Sequence, residues 1–322
     1  LVETPWAQKT VSFCAVGDVL LDRGSRTMIG KRGYGYPFEL AGDFIRMQDV
    51  SFCNFEGSMS SRGKPVAKEI NFRADSAFVD VLKHPGFDVL SLANNHVLDY
   101  GRDALLDTRR IFIENGFVVT GAGKDSIEAS LPAIIEKNGL RLAFLGYVTV
   151  PQVGIRYRGD LPGPAFPDTA RMRDQLTRLR KEADIVVVSF HWGIEYVPHP
   201  DPDQVALGRF CIDHGADLVL GHHPHVLQSI EKYKEKFIIY SLGNFVFDQH
   251  RQPQRESMIF GCLFTERGVK SPHILPIELP YRTFRPVFPE CSESIRIGER
   301  IKRISKGYGA TFRDGDSLIY LE

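Results

Sequence analysis

Short apolar runs of strand length alternate along the chain with amphipathic or polar stretches of helical length. The run "VSFCAV" at 11–16 and the run "DIVVVSF" at 184–190 have strand character, whereas "RDALLDTRRIFIE" at 102–114 has the helical period. This alternation is typical of an α/β domain. Asn138 and Gly139 separate two apolar runs and predict an antiparallel hairpin, and 227–245 predicts a second. We therefore expect mixed sheets, or two sheets packed together.

The chain of 322 residues is long enough to bury a sizeable core. Its main pattern of strands and helices occupies 11–270, which we expect to be one domain. The segment 271–322 contains a Pro-rich stretch and then an amphipathic helix. We expect it to be a C-terminal extension that packs on the same domain.

Composition narrows the class of protein. Lys plus Arg and Asp plus Glu both number 40, so the formal net charge is zero and we expect no nucleic-acid partner. No apolar stretch approaches the roughly 20 residues of a membrane-spanning helix, and the chain opens without Met. We therefore expect a piece from which a signal or anchor has been trimmed. Four of the five cysteines lie in apolar runs, where reduced thiols are buried, and no cysteine-based zinc site is predicted.

Six apolar runs end on side chains that can bind a metal or form hydrogen bonds. In open α/β sheets the ligand crevice lies outside the carboxyl ends of the strands, so these side chains should converge on one site. Each residue alone could be an ordinary turn or cap residue, but the set favours a functional site. The side chains in question are Asp18, Asn54, Glu56, Asn94, Asn95, His96, His191, Glu195, His223, His225 and Asn244.

The donor types indicate the chemistry of this site. Carboxylates, amides and imidazoles without thiolates suit Zn, Mn, Fe or Ni. His223 and His225 flank Pro224, and an extended backbone would turn both rings the same way. These donors outnumber the ligands that one tetrahedral ion takes, so we expect a site for one or two divalent ions. Two adjacent ions could share a hydroxide and catalyse phosphoester hydrolysis.

A long loop at 151–170 is dense in Pro and Gly and lacks a regular period. Long loops in compact domains are often lids, and we predict that this one covers the metal site. Arg156 and Arg158 on the loop could bind an anionic group of a substrate, although two solvated surface charges are the simpler reading.

Six segments, in order, resemble the motif set of the poly-γ-glutamate capsule-synthesis protein A (CapA) family, a branch of the calcineurin-like metallophosphoesterases. They are "GDVLLDR", "NFEGSMS", "SLANNHVLDYG", "SFHWGIEY", "GHHPHVLQ" and "YSLGNFVFD". The resemblance covers about 11–250 and implies a four-layer α/β/β/α sandwich with mixed sheets. It also implies a place at the cell surface, with a membrane anchor in the full-length protein, and polyglutamate synthase components in the membrane as partners.

The resemblance assigns roles to individual residues. It implies His96 as the catalytic residue and His222 as a histidine outside the ligand set. Asn54, Glu195, Arg156 and Arg158 are candidate substrate-binding residues. The implied metal ligands, for one or two ions of Mn, Zn or Fe, are Asp18, Glu56, Asn95, His191, His223 and His225.

This sequence departs from the superfamily pattern at two ligand positions. Asp18 is followed by Val19 and Leu20 in place of a DxH motif, and Glu56 stands where an aspartate usually bridges the metals. Phosphatase activity therefore does not follow from the fold.

Three functions remain open at this point. The first is a metal-dependent hydrolase that acts on a phosphoester or a γ-glutamyl polymer through a metal-bound hydroxide. The second is a metal-dependent peptide epimerase. The third is a non-catalytic module that binds an anionic polymer or a synthase partner.

Overall fold

The structure, a computed structural model, describes residues 9–322. Nineteen strands are present in these residues. In chain order they are β1 (Thr10–Val19), β2 (Val50–Phe55), β3 (Ser58–Met59), β4 (Arg73–Ala74), β5 (Val89–Ser91), β6 (Val118–Thr120), β7 (Ala122–Gly123), β8 (Ala133–Lys137), β9 (Leu140–Val148), β10 (Gly163–Pro164), β11 (Ile185–His191), β12 (Leu218–His222), β13 (Ile230–Tyr233), β14 (Lys236–Ile239), β15 (Asn244–Val246), β16 (Glu256–Thr265), β17 (Gly268–Glu278), β18 (Phe312–Asp314) and β19 (Ile319–Leu321).

Eight α-helices accompany the strands in the same residues. They are α1 (Arg23–Arg32), α2 (Gly42–Arg46), α3 (Val79–Lys83), α4 (Arg102–Glu114), α5 (Ser126–Ala129), α6 (Thr169–Glu182), α7 (Pro202–Asp213) and α8 (Cys291–Ile304). Every helix of the described part of the chain is too short or too polar to cross a bilayer.

Two large sheets form the centre of the molecule. The first has nine strands, eight of them in the order β18-β19-β17-β16-β1-β2-β5-β6, with β15 paired to β1. The second has six strands in the order β13-β14-β12-β11-β9-β8. Both contain parallel and antiparallel pairs, so the expectation of mixed sheets is confirmed.

The two sheets pack face to face. Phe13 and Phe52 of the first sheet and Phe144 of the second lie in one buried apolar cluster between them. The outer face of the first sheet packs against α1 and α4, through Ile29 and Phe112 among others. The outer face of the second packs against α6 and α7. The architecture is therefore the predicted four-layer α/β/β/α sandwich.

The predicted hairpins are both present. Strands β8 and β9 pair antiparallel across Asn138 and Gly139, which both have positive φ angles, and β13 pairs with β14. Residues 271–322 add strands to the first sheet, since β17 pairs with β16 and β19 pairs with β17. Strand β17 begins at Gly268, so the expected boundary at 270 falls inside a strand. All five cysteines are free thiols, and Cys291 is the exposed one.

Candidate metal centre

The carboxyl ends of the parallel strands place the donor side chains at one edge of the two sheets. Asp18 near the end of β1 is in register with Asn54 of β2, and His191 of β11 is in register with His222 of β12. Strands β2, β11 and β12 are buried along their whole length, as expected for parallel strands covered on both faces. Asn244 differs from its expected place, because it begins β15 and pairs there with Asp18.

Asp18 lies at the centre of this edge and is completely buried. Its carboxylate accepts hydrogen bonds from the Asn54 side chain at 2.8 Å and from the His223 backbone N–H at 3.2 Å. The Nδ1 atom of His222 lies 3.2 Å from Asp18 Oδ1. Burial alone would raise the pKa of Asp18, but hydrogen bonding to His222 and the charges of His222 and His225 lower it below its usual value.

Glu56 is the side chain that most clearly lacks a partner. Both of its carboxylate oxygens are buried and accept no hydrogen bond from residues 9–322. Burial raises the pKa of Glu56 well above its usual range, and the charges of Asp18 and Glu195 raise it further. An unpaired buried carboxylate is costly unless a cation lies beside it. Glu56 therefore fits a metal ligand.

The two histidines on either side of Pro224 have unusual backbone conformations. His223 has a φ of 97° and His225 a φ of 55°, a region that side-chain-bearing residues rarely adopt. Strain of this kind persists where the surrounding structure enforces it, often at functional sites. Burial and the charge of His225 lower the pKa of His223 to about 3, which keeps its ring in the neutral form that binds metals.

The donors form two groups, each with ligand atoms within 4.8 Å of one another. The first contains Asp18, Glu56 and His191, all buried. The second contains Glu195, His223 and His225, of which Glu195 is exposed. Oxygen and nitrogen donors at this spacing suit a divalent transition ion. The residues present therefore fit a metal site, and Glu195, predicted from the sequence as a substrate-binding residue, belongs to the second donor group.

Asn95 lies against the first group. Its Oδ1 atom is 2.8 Å from His191 Nε2, and the neighbouring Asn94 donates to the backbone oxygen of Phe55 at 2.7 Å. Burial and the charges of His223 and other histidines lower the pKa of His191 well below its usual value. Asn95 and His191 can therefore offer an oxygen and a neutral imidazole to the same ion.

His96 faces the donor groups through Nε2, which lies 3.7 Å from Glu56 Oε1. Its Nδ1 atom is 2.7 Å from Asp99 Oδ2. The ammonium of Lys68 pairs with the other oxygen of Asp99 and donates to the backbone oxygen of Asn95 at 3.2 Å. Burial lowers the pKa of His96, while Asp99 acts in the opposite direction. The Nδ1 side of the His96 ring is therefore fixed by Asp99, and the Nε2 side faces the donor cluster.

Two of the predicted site residues lie apart from this cluster. Arg158 is exposed and forms a bidentate pair with Asp160, and Arg156 is exposed on the same loop. The loop itself reaches the site's edge, where the Gln152 side chain donates to the backbone oxygen of Asn94. A role of the two arginines in substrate binding stays a prediction.

The sequence analysis missed Lys68 and Asp99, and it placed His222 outside the ligand set without predicting its contact with Asp18. Asp99 follows His96 by three residues, a spacing that allows contact across one turn and could have been noticed. Lys68 lies in a segment without regular period, so no local signal marks it. His222 contacts Asp18 because β12 ends level with β1, which only the packing of the two sheets decides.

Comparison with solved structures supports the fold. The crystal structure of the "Putative 5'-Nucleotidase from Staphylococcus aureus in complex with alpha-ketoglutarate" matches 91% of this chain and 58% of that chain, with 15% identity and a TM-score of 0.50. At this identity the likeness concerns the fold alone. The chain therefore has a metallophosphoesterase-like fold, with the donor cluster at the carboxyl ends of its strands.

Sequence comparison identifies the family within that class. Residues 12–249 match the family described as "Bacterial capsule synthesis protein PGA_cap", and the chain belongs to this family, that of CapA. It is 34% identical to the PGA biosynthesis protein CapA of Bacillus subtilis, over 88% of this chain and 77% of that protein. It is 30% identical to the capsule biosynthesis protein CapA of Bacillus anthracis, over 95% and 80%.

Proposed function

We propose that this protein is a divalent-metal-dependent hydrolase of poly-γ-glutamate capsule synthesis that acts outside the cytoplasm. Its substrate would be a phosphoester or a γ-glutamyl bond of the polymer. The names of the two Bacillus relatives support the biological role. The chemistry is supported above all by the Glu56 carboxylate of the first donor group, which is buried and accepts no hydrogen bond from residues 9–322. It lies 3.7 Å from His96 Nε2 and 3.8 Å from Nε2 of His225 in the second group.

The site residues would bind two divalent ions. Asp18, Glu56, Asn95 and His191 would hold one ion, and His223, His225 and Glu195 a second. A divalent ion bound there acts as a Lewis acid and lowers the pKa of water. In phosphoester cleavage a water oxygen bonds to phosphorus and the bond from phosphorus to the leaving oxygen breaks.

His96 would then deliver the proton from Nε2 to the leaving oxygen. Asp99 accepts the Nδ1–H, so the proton available for transfer is the second proton of the imidazolium, carried on Nε2, the nitrogen that faces the cluster. Because burial lowers the pKa of His96, its imidazolium gives up this proton readily.

The experiment measures metal content and turnover on the same samples. Protein purified without chelator is analysed for Mn, Zn and Fe and assayed with nitrophenyl phosphoesters and poly-γ-glutamate. Asp18→Asn should lose metal and activity together, whereas Asp174→Asn, on the exposed face of α6, should retain both. A wild-type protein that binds metal but cleaves neither substrate class would contradict the hydrolase. A change in the D/L composition of the polymer would then indicate an epimerase, and tight polymer binding without reaction would indicate a binding module.

A further inference from the structure

Helix α1 carries four cations, Arg23, Arg26, Lys31 and Arg32, and no acidic residue, although the chain as a whole has no net charge. The helix begins five residues after Asp18, near the metal site. The backbone N–H of Gly24 donates to Asp248 at 3.0 Å, and the Arg23 guanidinium lies 6.0 Å from the ring of Phe72.

That ring connects α1 to the candidate catalytic residue. The centroids of Phe72 and His96 are 4.2 Å apart. The first turn of α1 therefore borders the site on the side of His96, and the helix leads away from it.

The other end of α1 opens into a basic cleft. The cleft has a volume of about 730 Å³ and is lined by Arg32, His84, Arg282 and Arg285, among others. Its one acidic lining residue, Glu39, is already paired with Arg285. Arg32 and Arg282 are exposed, and neither has a carboxylate within 4.0 Å in residues 9–322. Two cations of the cleft are thus available to an external anion.

The spacing between site and cleft suits an extended chain. Arg23 and Arg32 are nine residues apart, which is about 14 Å along a helix. An α-peptide spans about 3.5 Å per residue, and a γ-linked residue is longer by two backbone carbons. Roughly three γ-linked residues would therefore reach from the site to the cleft. Arg23 and Arg26 are already paired with Asp248 and Asp22. A chain with one carboxylate per residue would therefore find its anion partners mainly at the cleft end of this path, where Arg32 and Arg282 lie.

We propose that α1 and the 281–285 segment form a track that binds a polycarboxylate chain of γ-linked glutamate and leads it to the metal site. The identity of the chain rests on the proposed function. Arginine forks suit carboxylates, which they bind through two parallel hydrogen bonds. The concave shape favours a single polymer chain over a bilayer, because a flat membrane surface cannot enter a cleft.

The test uses a fluorescent γ-linked glutamate oligomer of about ten residues and protein freed of metal with chelator. Arg32→Glu combined with Arg282→Glu should weaken binding roughly tenfold or more, and wild-type binding should weaken as salt is raised. The matched control, Arg178→Glu with Lys181→Glu on α6 in the opposite outer layer, should bind as wild type does. Circular dichroism and thermal melting confirm that each variant folds.

Several outcomes would overturn the track. They are no binding by wild type, equal loss in the control pair, and unchanged binding in the Arg32 and Arg282 pair. A further assay uses vesicles of phosphatidylserine and phosphatidylcholine. If the variant with Arg32→Glu and Arg282→Glu loses vesicle binding but still binds the oligomer, the surface binds a membrane and the track is refuted. Because binding is measured without metal, absence of hydrolysis would contradict the proposed function and leave the binding result standing.

Discussion

The Nδ1 atom of His96 contacts Asp99, and its Nε2 atom faces the donor cluster, 3.7 Å from Glu56 Oε1. An imidazole in this position can serve as a proton donor or as a metal ligand. The two roles predict different metal contents for a variant that lacks the imidazole. A donor can be replaced without loss of metal, whereas a ligand cannot.

We expect His96→Gln to keep its metal and to lose rate by about 10²- to 10⁴-fold, the usual contribution of a positioned proton donor. The loss should be smaller for a nitrophenolate leaving group, which needs little protonation. His223→Ala should lose metal along with activity. Metal content and turnover with a good and a poor leaving group, measured on one preparation, decide the question. Equal metal loss in both variants would make His96 a ligand.

Strand β12 depends on a close approach of two backbones. A Cβ added at Gly221 would lie 1.9 Å from the backbone oxygen of Tyr240 and 2.6 Å from Trp192 Nε1. Gly221→Ala must therefore push β12 away from β14 and displace His222 and His223.

We expect this variant to be destabilised by about 1–3 kcal/mol, as overpacked cores are, and to bind metal more weakly. The matched control is Gly30→Ala on α1, where nothing lies within 4 Å and helix propensity should improve stability slightly. Urea unfolding and metal titration of both variants provide the measurement. Equal stability of the two variants would refute the role of Gly221.

An ion pair between Asp107 of α4 and Arg62 connects this helix to the segment after β3. Arg62 donates to both carboxylate oxygens of Asp107, and the Ser60 hydroxyl donates to one of them at 2.6 Å. Hydrogen bonding to Arg62 lowers the pKa of Asp107 from 3.8 to about 2. A carboxyl whose pKa is lower in the folded state adds stability above its unfolded pKa and loses that contribution as pH falls towards the folded pKa.

Asp107→Asn should therefore be less stable than wild type at pH 7, by about 1 kcal/mol, since the exposed guanidinium is screened by solvent. The difference should shrink between pH 4 and pH 2. Urea unfolding of both proteins at pH 7, 5, 4 and 3 tests this expectation. A difference that does not change with pH would show that lost packing, not charge, causes the effect.

Metal binding should stabilise the whole molecule, because its ligands come from both sheets. An ion at about 100 times its dissociation constant adds about 2.7 kcal/mol, or roughly 5 °C in Tm for a chain of this size. Since imidazole and carboxylate ligands must be deprotonated, this gain should fall as pH drops below about 6. Thermal melting with Mn or Zn, with chelator as the control, measures it at pH 7.5 and 5. An equal gain at both pH values would argue against histidine ligands.

The sequence by itself determined the local elements and the types of donor. Apolar period and turn chemistry are properties of neighbouring residues, and they predicted both hairpins, the mixed sheets and the side chains at the strand ends. The motif set, in order, predicted the four layers. These features can be predicted without knowing which strands pair or pack together.

Only the tertiary structure decided which of these side chains touch. His223 donates its backbone N–H to Asp18 across 205 residues, Lys68 reaches Asp99 from a loop without period, and α1 meets Arg282 to form the basic cleft. Such contacts depend on how two sheets stack and where the connecting loops return. The period of a strand or helix carries no information on that arrangement, because it is set by packing between elements distant in the chain.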